Sequence, residues 1–292
     1  MKNSKLTVLI TIGVLVMSKW CLKKFKIFGY IILVCSVFPF SISNAYADTK
    51  QPIQLNISYF HYPPYLIEGE VPGGFIIDIE REIFEHAGYK LNFVAFSYAR
   101  AIREAAKGKY DFTAAMIPMA VPGFIYPDHE VAVSEQMFVV KKGNPWRYDG
   151  INSLKGNTIG NIAFYDYSSI SKEYNNYLLS TEADVTMVSG EDATLRMLKM
   201  ISKGRVDTFS ESRYILEYIM FQNKIASDFD FAGKLSKVLL TKLGFPQDAS
   251  QSKKLIKIFD EGMTRIRKDG TLEKIMKKYN LSTWSSLFKN PL

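Results

Sequence analysis

Past residue 47 the chain has no cysteine: its two, Cys21 and Cys35, both lie before that point. The remainder can hold no disulfide, no catalytic thiol and no thiolate metal site. Histidine is scarce too. The three are His61, His86 and His129, and neither His86 nor His129 has a second histidine or a cysteine at close spacing, so no metal site is expected. There is no P-loop, no dinucleotide-binding glycine pattern, no G-x-S-x-G and no H-E-x-x-H. No catalytic residue and no cofactor are expected. Acidic residues are missing from positions 1–47, which hold six lysines, whereas the whole chain has 37 basic and 29 acidic residues. The rest of the chain therefore carries a net charge of only +2. That lacks the concentrated basic surface that phosphate binding requires, and no nucleic-acid partner is expected.

The amino terminus has what the rest lacks. Lys23, Lys24 and Lys26 precede an apolar run from Ile27 to Phe40, and Ala45-Tyr46-Ala47 follow. A basic stretch, an apolar stretch and an A-x-A site make a secretory signal peptide. The run is shorter than the roughly 20 residues of a spanning helix. Cleavage is expected after Ala47, with a mature chain starting at Asp48. A second apolar run, Leu6 to Met17, lies upstream; Met17 as the true start and a double-segment leader both remain open. Cys35 follows Val34, where a lipobox needs a small residue, so lipidation is not expected.

The whole chain has 47% hydrophobic and 23% charged residues, an ordinary globular composition. Residues 53–60 alternate apolar and polar and read as a strand, which Tyr62-Pro63-Pro64-Tyr65 ends. Residues 75–87 carry apolar side chains at helical spacing, and Gly88 stops the helix. A strand over 90–96 and a helix over 98–107 follow, then strands over 136–141 and 157–163. Helices are expected over 168–179 and 191–203, a strand over 205–210, a helix over 213–222 and a strand over 236–243. Leu255, Phe259, Met263 and Ile266 mark a long helix, and Thr271 starts a last one. One stretch is echoed: Ile102 to Thr113 and Leu198 to Phe209 both pass from a helix end through Lys-Gly to an aspartate entering a strand, Asp111 and Asp207. Two α/β lobes of like topology are expected. The chain is expected to cross at Lys142-Gly143-Asn144-Pro145 and return near 236. That gives a discontinuous lobe, 48–143 plus 237–292, and a continuous one, 144–236.

In open α/β sheets ligands lie beyond the carboxyl ends of strands. Tyr62 and Tyr65 crowd the end of the first strand, Tyr98 opens a helix, and Phe164, Tyr165 and Tyr167 cluster at a strand end of the second lobe. Tyrosines there can stack on a ligand and still hydrogen-bond; ordinary core packing is the competing reading. Ser168 reads as a helix N-cap able to meet an anion, or as a plain cap.

These pieces resemble the bacterial extracellular solute-binding proteins of family 3. The likeness is carried by Tyr62-Pro63-Pro64-Tyr65, Gly74-Phe75 with Asp78-Ile79, Gly108-Lys109-Tyr110-Asp111, Ser153-Leu154-Lys155-Gly156, Gly204-Arg205-Val206-Asp207 and Lys268-Asp269-Gly270-Thr271-Leu272. It implies the two-lobed type II periplasmic-binding-protein fold, two α/β lobes joined by two hinge strands. It further implies a monomer that holds a small polar solute, amino-acid-like or another organic solute, between the lobes for an ABC transporter permease. The family's carboxylate-gripping Arg falls, by register, near Pro122, where there is none; its amine-binding Asp falls near Ser212, with Glu211 adjacent. Arg100 is the candidate replacement charge. Two other functions stay open: a sensor that presents its ligand to a membrane receptor, and a small-molecule dehydratase using Glu211, His61 or Asp166.

Overall fold

The computed structural model describes residues 52–118, 122–163, 165–190, 192–235 and 238–284. The leader, its cleavage site, Cys35 and Phe164 lie outside the described residues. Strand β1 (Ile53–Tyr59) buries its inward alternate residues and sits between two parallel neighbours. Helix α1 (Phe75–His86) lays Phe75, Ile76, Ile79, Ile83 and Phe84 on the sheet. β2 (Tyr89–Ala95), α2 (Tyr98–Ala106), β3 (Phe112–Met116) and the short β4 (Phe124–Ile125) and β5 (Ala132–Ser134) continue this half. Then come β6 (Gln136–Lys141), β7 (Thr158–Ile162), α3 (Lys172–Leu178), β8 (Asp184–Val188), α4 (Ala193–Ser202), β9 (Thr208–Ser212), α5 (Arg213–Gln222) and β10 (Phe229–Lys234). β11 (Leu239–Pro246), α6 (Ser252–Lys268) and α7 (Thr271–Lys278) close the described chain.

The strands make two mixed sheets. The first runs β2-β1-β3-β11-β4, with β5 also on β11; the second runs β10-β6-β9-β7-β8. One core lies under α1, α6 and α7, where Leu255, Phe259, Met263 and Ile266 are fully buried. Each such side chain contributes about 1.5–3 kcal/mol by leaving water. The second sheet is covered on both faces, by clusters around Met197 and Phe209 and around Phe138 and Tyr174.

The two echoed aspartates do the same job in the two sheets. Asp111 N donates to Asn56 O at 2.8 Å while its Oδ2 accepts from Asn56 N at 2.6 Å. Asp207 N donates to Thr158 O at 2.9 Å while its Oδ2 accepts from Thr158 N at 2.8 Å. Each carboxylate thus extends the ladder between two parallel strands by one bond at the entry end. Asp207→Ala should cost about 1.5–3 kcal/mol, as expected for a hydrogen bond to a charged acceptor. The unfolding midpoint should fall by roughly 3–10 °C. Asp111→Ala should cost more, because Gln251 of the other chain segment also donates to Asp111. Midpoints unchanged in both variants would show the echo to be decorative.

Strand pairing moves one expected boundary. β6 pairs with β9 and β10 of the second sheet, not with the first, so the outward crossing is at Glu135, between β5 and β6, and not at 142–145. The physical reason is that Gln136–Lys141 is buried at every position but the last, so its own pattern fits either sheet and only its partners decide. The return lies between Lys234 and Leu239, on either side of the expected 236. The expected helix 168–179 is also shorter, because the cap is Ser171, whose Oγ accepts from Tyr174 N at 3.2 Å.

Candidate ligand-binding site

The carboxyl ends of β1, β3 and β7 approach one cavity of about 510 Å³, and the end of β9 stands behind it through Ser212 and Glu211, which meet Tyr65 and Tyr165. β1 delivers Phe60, His61, Tyr62 and Tyr65 through the proline turn; β3 delivers Met116 and Ile117; the turn after β7 delivers Tyr165. Tyr98, at the start of α2, and Ser134, just before the outward crossing, complete opposite walls. Side chains from both sheets therefore face the same space.

The turn that presents the tyrosines is held tightly. Phe75 N donates to Pro64 O at 3.0 Å and Ile76 N to Tyr65 O at 3.1 Å. Tyr62 and Tyr65 stack with centroids 5.2 Å apart. The Tyr65 hydroxyl donates to Val133 O at 2.9 Å and lies 2.9 Å from Ser212 Oγ, which belongs to the other sheet. Burial raises the Tyr65 phenol well above its usual range, so it stays protonated and remains a donor.

Glu211 is fully buried beside this wall. Its Oε2 accepts from Tyr165 Oη at 3.1 Å and from Thr194 Oγ1 at 3.4 Å, and its Oε1 accepts from Ser212 N at 2.7 Å. Desolvation outweighs those three donors and pushes the carboxyl up to about 7. No Lys, Arg or His among the described residues forms an ion pair with it.

Of the eight residues singled out from sequence, Tyr62, Tyr65, Tyr98 and Tyr165 line the cavity, and Glu211 stands directly behind Tyr165. Three do not join them. Tyr167 is buried in the second core, its hydroxyl donating to Ser210 O at 2.9 Å and its ring against Tyr174. Ser168 caps no helix; its N–H closes a turn onto Asp166 Oδ1 at 2.8 Å. Arg100 is exposed, with its guanidinium 4.7 Å from the Phe96 ring centroid. The polar lining residues Ser134 and Thr241 and Thr194 against Glu211 were not singled out, and Ser212 was named only as the position of the family's amine-binding Asp. Ser212 was findable, since it ends a parallel strand; Thr194, on α4, carries no local signal.

Residues 57–282 match the family model described as bacterial extracellular solute-binding proteins, family 3. PatH of Vibrio harveyi, which its name places among amino-acid ABC transporter-binding proteins, is 21% identical over 255 residues, 84% of this chain and 94% of PatH. The L-cystine solute receptor of Neisseria gonorrhoeae, in an unliganded open conformation, superposes with a TM-score of 0.62 at 14% identity over 79% of this chain and 94% of the receptor. A histidine kinase sensor domain with similarity to periplasmic binding proteins gives 0.58 at 15% identity over 80% of this chain and 99% of that domain. At such identities the two structures speak for the fold: two α/β lobes of the type II arrangement.

Proposed function

The chain belongs to family 3 of the bacterial extracellular solute-binding proteins, and from that premise we propose that it captures a small organic solute between its two sheets and delivers it to an ABC transporter permease. The observation that carries this reading is the cavity itself, lined by Tyr62 and Tyr65 after β1, Tyr98 at the start of α2 and, from the other half, Tyr165 after β7. Such mostly apolar pockets with a few polar groups are what small-molecule sites look like. The periplasm is the compartment this reading requires, in keeping with the secretory leader, and a monomer suffices because one chain supplies both walls. A bound solute touching both sheets would favour the closed arrangement over the open one. The hinge would be the two crossings, at Glu135 and between Lys234 and Leu239.

A sensory role is favoured by one observation, the likeness to the histidine kinase sensor domain. It uses the same cavity and the same solute and differs only in the membrane protein that receives the closed form.

Thermal unfolding against a library of amines, amino acids, organic acids and short peptides tests the reading. A solute at about 100 times its dissociation constant should add ~2.7 kcal/mol. The midpoint should then rise by roughly 5–10 °C, and mass spectrometry should recover the solute unaltered. A solute that is consumed would point instead to the dehydratase. No shift from any class of solute would sink the transport reading.

A further inference from the structure

We propose that the solute is a small organic cation without a carboxylate, such as a decarboxylated amino acid. The inference rests on the cavity being the solute site and adds the charge of its occupant. The first ground is where the hydroxyl protons go. Tyr65 donates to Val133 O at 2.9 Å, and Tyr165 donates to Glu211 at 3.1 Å. Both protons are committed inside the protein, so the oxygens present lone pairs to the cavity. A ligand there meets these two committed acceptors and the ring faces of Tyr62, Tyr65, Tyr98 and Tyr165, which suit an N–H donor bearing positive charge.

The second ground is the charge balance. No Lys or Arg lines the cavity among the described residues. Arg100 lies over Phe96, outside the lining. Arg213 is engaged with Glu135 and Glu217, at 3.5 and 2.7 Å. A carboxylate entering the cavity would leave water with no fixed counter-charge, which is costly. A cation would find the opposite. Glu211 stands one hydroxyl away, fully buried and without an ion-pair partner, and a ligand cation near it supplies the missing charge in a low-dielectric setting.

The geometry has a pH consequence. Glu211 titrates near 7 in the empty protein, raised by burial. The groups facing it are the phenols of Tyr62, Tyr65, Tyr165 and Tyr167, the hydroxyl of Thr194 and the backbone N–H of Ser212, none of them cationic. A bound cation favours the ionised form and draws the pKa down, so binding near neutrality releases a proton. Affinity is then full above about 7 and falls as the carboxyl is protonated below it.

Matched pairs that differ by one carboxylate give the test: agmatine with arginine, 1,4-diaminobutane with ornithine, and tyramine with tyrosine. Each is titrated calorimetrically into the purified protein at neutral and mildly alkaline pH. The expected result is that the amine of at least one pair binds about tenfold or more tighter than its parent. Glu211→Gln should weaken that amine about tenfold and flatten the pH profile. Its unfolding midpoint should not fall, because the variant removes a buried charge and keeps the shape. Parent amino acids or organic acids binding tighter than the amines would overturn this inference and leave the cavity reading standing. Amine binding untouched by Glu211→Gln, with an unchanged pH profile, would overturn the role of the buried charge. No binding by any member, with no midpoint shift across the wider library, would overturn the cavity reading itself.

Discussion

Gly74→Ala should abolish solute binding and lower the unfolding midpoint by roughly 5–15 °C, read by thermal denaturation and titration of the same sample. Gly74 has φ 100° and ψ 152°, a backbone region that is essentially glycine's alone and costs other residues about 1–3 kcal/mol. The added methyl would also stand 2.4 Å from Tyr65 O and 2.8 Å from Leu66 Cα. These are backbone atoms and cannot turn aside, so overpacking adds about 1–3 kcal/mol. The segment pushed is the one that presents Tyr62 and Tyr65, so the binding defect should exceed the stability defect. Gly88→Ala is the control. Gly88 has φ 84° but nothing within 4 Å of the added methyl, so only strain of about 1 kcal/mol should appear and binding should survive. Equal behaviour of the two variants would show that the close approach to Tyr65 is unimportant.

The second large effect is at the hinge. Glu135, at the outward crossing, is 1% exposed, with its carboxylate 2.6 Å from Lys234 Nζ and 3.5 Å from Arg213. Lys234 is the last residue of β10 before the return crossing, and Arg213 starts α5 and donates its backbone N–H to Glu135 O at 2.8 Å. One buried carboxylate thus ties both crossings and a helix of the second lobe. Lys234→Met should cost about 1.5–3 kcal/mol, because it removes one half-exposed donor from a buried carboxylate that keeps Arg213. Glu135→Gln added to it should recover most of that loss, since then neither charge is stranded. Urea denaturation of the two single variants and the double completes the cycle. Simple additivity of the two single effects would mean that the pair does not couple the crossings.

Much of this architecture could be read along the chain because its signals are local. The alternation in β1 and the helical spacing of Phe75, Ile79 and Ile83 are properties of a few consecutive residues, and so is the Lys-Gly-x-x-Asp echo. β6 was placed in the wrong half because a strand buried on both faces does not name its partners; the hydrogen bonds to β9 and β10 are made across long stretches of chain. The strands β8 and β10 went unread, since Asp184–Val188 buries none of its residues fully and Phe229–Lys234 holds a glycine and two charges. Within the cavity, the four tyrosines followed from one rule, that ligands collect at strand ends. Tyr165 and Tyr167 look alike in sequence, yet one faces the cavity and the other packs on Tyr174. Ser168 reads as the cap from sequence, but α3 starts three residues later, where Ser171 Oγ accepts from Tyr174 N. The burial of Glu211 depends on neighbours distant in sequence, Tyr165 and Thr194 among them, and could not be read along the chain.

Hydrogen exchange with and without a saturating solute locates the occupant in both sheets at once. Exchange should slow in segments from both, around 60–66 and 96–100 in the first and 208–213 in the second, with the crossings at 135 and 234–239 protected as the lobes close. Protection confined to one sheet, or centred on the outer groove between Glu217 and Phe231, would contradict capture between the two sheets.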